Sequence, residues 1–232
     1  LDAVDKSGYL SQMEKRYSLE PFIESFARFD ASRDLDVLEI GVGLGADHQR
    51  FAQAGARLAG IDLTERAVDH TRRRFDLCGL KSDLRVADAE SLPFADESFD
   101  LVYSWGVLHH SPDTARAIDE VWRVLRSGGA ARIMIYHKYS VIGLMLWLRY
   151  GLLAGRPFRP LADIYANHLE SPGTKAYSVP EAQSMFSKFS SCEVSTVLTH
   201  GDLLTSDAGQ RHRGFLLSIA RSIWPRDLIC SF

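Results

Sequence analysis

Residues 37–52, VLEIGVGLGADHQRFA, lead an apolar run into three glycines at alternate positions and then into a helix-like stretch. An apolar strand that ends in Gly41, Gly43 and Gly45 lets backbone approach a ligand closely. It also aims amide N–H groups, and the positive end of the next helix, at that ligand. Two nucleotide-like ligands fit such a turn. As G-x-G-x-x-A, Gly41, Gly43 and Ala46 satisfy a dinucleotide fingerprint, and Asp62 lies about 20 residues on, where an NAD ribose would be held. The turn alone does not decide between them.

Outward from the turn, short apolar runs alternate with amphipathic ones. DVLEI, ARLAGID, DLRVADA, FDLVYSW and ARIMIY are strand-like, and helix-like segments join several of them. That alternation implies βαβ units and a parallel sheet covered on both faces, a doubly wound α/β domain. Thr64 is placed to cap ERAVDHTRRRFDLC and Gly79 to end it, and Asp113 to open TARAIDEVWRVL ahead of a Gly128-Gly129 stop. Ala67, Thr71 and Phe75 then fall on one helix side. The Arg72-Arg73-Arg74 run reads as a solvated helix face.

Four segments follow from this pattern. Residues 1–34 read as one or two helices against the sheet, broken at Pro21. Residues 35–137 form the α/β core. Residues 138–177 look like an inserted helical element followed by a loop, and 178–232 return to the core. In that last segment Ser178 and Glu181 offer a capping box for PEAQSMFSKF, and CEVSTVLT is strand-like. FLLSIARSIW is ambiguous between helix and strand, with DLICSF as an alternative final strand.

Composition bounds the rest. With 232 residues and 46% apolar content the chain can bury a proper core. Its formal charge of -3 gives no broad basic surface, so nothing asks for a nucleic-acid partner. Cys78, Cys192 and Cys230 are odd in number and widely spaced, which argues against a disulfide framework and a zinc site and suits a reducing cytosol. The chain opens on Leu1 with no secretory signal and no initiator Met, and reads as a fragment or a trimmed chain.

Four blocks in order, VLEIGVGLG, GIDLT, VADAESLPFADESFDLVYSWGVLHH and VLRSGG, resemble the class I S-adenosylmethionine-dependent methyltransferases. More narrowly, they resemble the methyltransferase type 11 group, which includes the ubiquinone/menaquinone C-methyltransferases. The resemblance spans Val37 to His137 and implies a seven-stranded sheet with a helical insert after the fifth strand. It implies that Glu39 and the backbone of Gly41, Gly43 and Gly45 hold the methionine end of S-adenosylmethionine. Asp62 would accept both ribose hydroxyls, with Leu63 against the adenine. Asp88 and the Ala89 amide would read the adenine edge, and Ser104 and Trp105 would line the sulfonium region. A carboxylate accepting two hydroxyls suits the first of these roles, and strand C-termini are where open α/β sheets bind ligands.

A sulfonium methyl is already activated, so the chain has mainly to align a nucleophile behind it; proximity and orientation contribute on the order of 7–11 kcal/mol. Where the acceptor must lose a proton, a neutral imidazole is a suitable base. His109 and His137 are the candidates, with Tyr17, His110, Tyr139 and His168 as acceptor lining and Tyr165 and Tyr177 beside them. The apolar run Val141–Leu148 is too short to span a bilayer. It suits an apolar lid or a membrane surface, with Lys138, Arg149, Arg156 and Arg159 near headgroups, and hence a small hydrophobic acceptor. Two rivals remain open: a nicotinamide-dependent oxidoreductase, and a non-catalytic binding subunit with the same fold.

Overall fold

The structure, a computed structural model, describes residues 5–197, which divide into two compact units at Ile135/Tyr136. The first holds a five-stranded sheet, with β1 Asp36–Ile40, β2 Arg57–Asp62, β3 Asp83–Val86, β4 Phe99–Trp105 and β5 Leu125–Met134. The strands are all parallel, in the order β3-β2-β1-β4-β5. A central parallel strand covered on both faces must be apolar on both, and Val37, Leu38 and Ile40 are buried together with Glu39. The chain leaves β1 toward β2 on one side, and β4 lies on the other. The C-terminal end of β1 is therefore the switch point at which such sheets leave a crevice.

Helices α1 Lys6–Leu19 and α2 Phe22–Ala27 precede the sheet and are separated at Pro21. α3 Ala46–Gln53, α4 Glu65–Cys78 and α5 Thr114–Val124 connect the strands. The Thr64 hydroxyl accepts the Ala67 amide at 3.3 Å, and Gly79 closes α4 in a left-handed conformation. The Asp113 carboxylate accepts the Arg116 amide at 3.1 Å. The end of α5 differs from expectation: the helix stops at Val124, and Gly128 and Gly129 lie inside β5. The register between β4 and β5 shifts there, which lets the strand start directly after the helix.

The second difference concerns the arginine run. Arg74 is completely buried. Its guanidinium donates to Gln49 Oε1 at 2.6 Å, to the Leu44 carbonyl at 2.7 Å and to the Tyr9 carbonyl at 2.8 Å, and it lies 5.0 Å from the Tyr9 ring centre. Five donors in a fixed fork let one arginine tie three backbone regions together. Arg72 reaches the Leu84 carbonyl at 2.9 Å.

The second unit contains α6 Val141–Trp147, a π turn over Leu148–Leu152, α7 Leu161–His168 and α8 Val179–Met185. Leu146, Ile164 and Tyr165 form its core. The segment expected to be a loop from Tyr165 onward begins inside α7. At α8, Ser178 and Glu181 cap each other reciprocally. Residues 192–197 have no regular secondary structure, so the expected strand CEVSTVLT is absent over those positions. Its last two residues, FLLSIARSIW and DLICSF lie outside the described residues. Among the described residues, no helix is long and apolar enough to cross a membrane.

One buried carboxylate ties α1, α3 and β4 of the first unit together. Asp47, 4% exposed, accepts Arg16 Nε at 2.8 Å and Nη2 at 2.6 Å, the Tyr17 hydroxyl at 2.9 Å and the Tyr103 hydroxyl at 2.8 Å. Removing one partner of a buried ion pair typically costs about 3–5 kcal/mol, because the other charge stays desolvated. Asp47→Ala is expected to lose stability of that order, read as a lowered urea midpoint. A loss below about 1 kcal/mol would show that the cluster is solvated in solution.

Candidate cofactor and active site

The glycine turn is built by contact from three sides. Gly41 and Val42 donate their amides to the Ile61 carbonyl at 2.8 and 3.1 Å, docking the turn on the end of β2. Gly41 has φ +84°, and a Cβ there would fall 2.2 Å from Val107 in the segment after β4. Gly45 has φ +73°, and a Cβ there would fall 2.7 Å from Thr71 on α4. At Gly43 the same test meets open space within 4 Å. The Gly43 amide donates to Asp62 Oδ2 at 3.1 Å, which ties the turn to the tip of β2.

Asp62 is half-buried and fully oriented. Its Oδ1 accepts the Thr64 amide at 3.0 Å and the Thr64 hydroxyl at 2.9 Å. Each carboxylate oxygen has two lone-pair sites, so these bonds fix the group, fill Oδ1 and leave one site open on Oδ2. Leu63 beside it is 72% exposed. The Ala87 amide donates to the Asp62 carbonyl at 3.0 Å, which brings the segment after β3 alongside. There Asp88 is exposed and accepts the Glu90 amide at 2.9 Å, with Ala89 half-buried. The ends of β1, β2 and β3 thus converge around the turn.

At the end of β4, Ser104 is buried and donates its hydroxyl to the Ile40 carbonyl at 3.0 Å. The Trp105 ring sits 5.3 Å from Phe26 and 5.7 Å from Phe22, inside the aromatic packing of α2. His109 is fully buried in a short 3₁₀ turn, with its ring 4.2 Å from that of the half-buried His110. The Tyr17 hydroxyl is committed to Asp47, and its ring meets Phe29 edge-on at 6.1 Å. Burial and the Asp47 charge push the Tyr17 phenol above its ordinary range.

His137, Tyr139 and His168 belong to the second unit. His137 pairs in a backbone bridge with Tyr177, and its ring lies 6.1 Å from Tyr139, which is 67% exposed. His168 stacks on Tyr150 at 3.8 Å.

The sequence reading misses the partner of Glu39. Glu39 is buried, and its Oε2 lies 2.8 Å from Nδ1 of the fully buried His48. Nε2 of His48 lies 2.8 Å from the Ser82 hydroxyl, which itself donates to the Leu58 carbonyl at 2.9 Å. That last bond uses the only hydrogen of Ser82, so Nε2 must donate and Nδ1 must accept, unless the ring is cationic. Burial, then the charge of Asp47, holds Glu39 well above the ordinary carboxylate range. Burial pulls His48 down to about 3. Both effects oppose an ion pair, and the consistent arrangement is a neutral Glu39 acid donating to a neutral imidazole. The available signal is the polar triplet Asp47-His48-Gln49, which opens a short helix directly after the glycines and is buried throughout.

Residues 38–133 match the family described as a methyltransferase domain. A probable S-adenosylmethionine-dependent methyltransferase of Mycolicibacterium smegmatis is 37% identical over 94 residues, 40% of this chain and 35% of that protein. A sarcosine/dimethylglycine N-methyltransferase of Halorhodospira halochloris is 38% identical over 99 residues, 41% of this chain and 36% of that protein. The uncharacterized methyltransferase YcgJ of Bacillus subtilis is 30% identical over 156 residues, 65% of this chain and 54% of that protein. Its crystal structure superposes with a TM-score of 0.56 at 26% identity, covering 75% of this chain and 67% of that one. Over these residues the chain is similar to S-adenosylmethionine-dependent methyltransferases, and nothing in the comparisons favours an oxidoreductase. It spans only 35% to 54% of the length of these curated relatives.

The buried histidine sets a pH dependence. His48 is ordinarily at 6.5 and is lowered to about 3 in the folded chain, so the unfolded chain takes up its proton first. Its contribution to stability is complete above about pH 6.5 and is lost as the pH falls toward 3. Between pH 7 and pH 5 this group is expected to cost about 2 kcal/mol of stability. His48→Gln, which keeps one acceptor and one donor, is expected to lack that component in urea titrations at the two pH values. Equal losses in the two proteins would assign the acid sensitivity elsewhere.

Proposed function

We propose that this chain is an S-adenosylmethionine-dependent methyltransferase that transfers a methyl group by in-line displacement to an oxygen, nitrogen or carbon of a small hydrophobic molecule. The observation that carries the reading is the Asp62 carboxylate at the tip of β2, oriented by three donors, one of them the Gly43 amide. A carboxylate so fixed can accept one ribose hydroxyl on Oδ2, and the adjacent one if the Thr64 hydroxyl gives up its place on Oδ1; the open space at Gly43 suits close backbone approach.

Bound S-adenosylmethionine supplies a methyl group already activated by its positive sulfur. In this reading the Gly41–Gly45 backbone holds the methionine end, and Leu63, Asp88 and Ala89 hold the adenine. Ser104 and Trp105 contribute through the backbone at the end of β4, because their side chains are engaged elsewhere. Glu39 serves the turn as a neutral acid. His109 and His137 are the candidate bases, and His110, Tyr139 and His168 the candidate acceptor-side groups. Sequence spacing supports those five assignments. Residues 1–34 and 138–177 are the candidate acceptor-covering segments. The free Cys78 and Cys192 suit a cytoplasmic setting.

Calorimetric titration with S-adenosylhomocysteine is expected to show binding by the intact chain and none with NAD. Asp62→Ala removes charge-assisted hydrogen bonds of about 2 kcal/mol in all, so affinity is expected to fall by about 30-fold. Binding of NAD, or no binding of S-adenosylhomocysteine, would overturn the reading.

A further inference from the structure

The second unit carries an apolar surface that its own core does not absorb. α6 widens into the π turn Leu148–Leu152, and the chain then closes on itself. Gly155 donates its amide to the Leu152 carbonyl at 3.1 Å, Arg156 to the Gly151 carbonyl at 2.8 Å, and Trp147 Nε1 to the Pro157 carbonyl at 3.2 Å. On this tied loop Leu152 is 47% exposed, Leu153 68% and Phe158 96%. Large apolar side chains are not normally left in water together on one tip. Their positions are already fixed by backbone hydrogen bonds, so little order need be added on docking.

The charge around them has one sign. From Lys138 to Ala162 the sequence contains Lys138, Arg149, Arg156 and Arg159 and no Asp or Glu. Lys138 pairs with Glu181 at 2.8 Å and Arg159 with Asp163 at 2.5 Å. Arg149 lies over the Tyr150 ring at 5.2 Å, and Arg156 is exposed; neither has a carboxylate partner among the described residues. The apolar tip is thus flanked on both sides by cations.

We propose that residues 148–158 dock this chain on an anionic phospholipid surface, with Leu152, Leu153 and Phe158 entering the acyl boundary and Arg149 and Arg156 at headgroup level. Interfacial segments bind by just this sum of apolar insertion and attraction between cations and anionic headgroups. A second copy of the chain fits less well, because an isologous contact would set one cationic tip against another. Three side chains also fall short of the roughly 1,000 Å² that a stable protein interface buries. The proposal does not depend on the methyltransferase reading.

The test is cosedimentation of the full chain with vesicles of phosphatidylcholine containing about one-third phosphatidylglycerol. Binding is expected to these vesicles and to be about tenfold weaker to pure phosphatidylcholine. The double variant Leu153→Asp/Phe158→Asp, at exposed positions, is expected to lose about tenfold in binding with an unchanged melting temperature. Arg149→Gln/Arg156→Gln is expected to bind both vesicle types alike. Failure of the intact chain to bind the anionic vesicles, or full retention by the Leu153/Phe158 variant, would overturn the proposal. So would sedimentation velocity showing a dimer that the same variant dissolves, which would assign the tip to self-association.

Discussion

The carboxylate of Asp47 sits where α1, α3 and β4 meet, and the geometry of the glycine turn depends on it. Four hydrogen bonds converge on its two oxygens, three from α1 and one from the centre of the sheet. Asp47 is also the second residue of α3, so whatever fixes its side chain fixes the helix N-terminus toward which the turn opens. Arg74 clamps the same region from the opposite direction, through the Leu44 carbonyl inside the turn, Gln49 on α3 and Tyr9 on α1. The N-terminal helix is therefore part of the scaffold of the turn. An accessory cover would not be tied in at both Arg16 and Tyr9.

Burying ionised groups is costly, and a buried ion pair is often no more stabilising than apolar packing of the same volume. Its value here is directional. Apolar contacts such as Phe29–Phe51 at 4.7 Å and Phe51–Tyr103 at 5.2 Å tolerate a small rotation of α3, whereas a bidentate arginine and two phenols on one carboxylate do not. The charge at Asp47 then constrains its neighbour. A second anion at Glu39, buried one strand position before the turn, would face both desolvation and repulsion from Asp47. Pairing Glu39 with a neutral His48, itself satisfied by Ser82, removes that conflict while both ring nitrogens of His48 stay hydrogen-bonded. The two polar systems thus divide the work, one charged and rigid, the other neutral.

What the sequence makes legible follows from how local each signal is. The strand-turn-helix around Gly41, the cap at Thr64 and the capping box at Ser178 are set by neighbours within a few residues, and pattern reading finds them. Asp62 is also legible, because it closes an apolar strand at a fixed distance from the glycines. Arg74 is not: three consecutive arginines look solvated, and the partners that take the third one inward, Leu44, Gln49 and Tyr9 of α1, lie far away in sequence. Tyr17 and Trp105 are attractive as lining residues by position, yet the packing of α1 and α2 on the sheet claims the hydroxyl of one and the ring of the other. The end of α5 is misjudged for a related reason. Two glycines resemble a helix stop, but pairing of Leu125 with Phe99 draws the chain into the sheet first. Arg74 and the end of α5 share a cause, a partner that is distant in sequence and invisible to periodicity.

A turn held this way constrains any ligand it receives. Because the Gly43 amide is bonded to Asp62, and Asp62 in turn to Thr64 at the cap of α4, the donor surface of the turn and the acceptor at the end of β2 are fixed relative to each other before a ligand arrives. A ligand that engages both pays little for ordering them, and one that engages a single group gains nothing from the other. Under the proposed function, selectivity for a ligand with hydroxyls at one end and a chain threading past the glycines would come from rigidity as much as from contact. That rigidity traces back through α3 and α4 to Asp47 and Arg74. In the proposed reading, residues that touch no ligand would thus set how sharply the site distinguishes one nucleoside-bearing molecule from another.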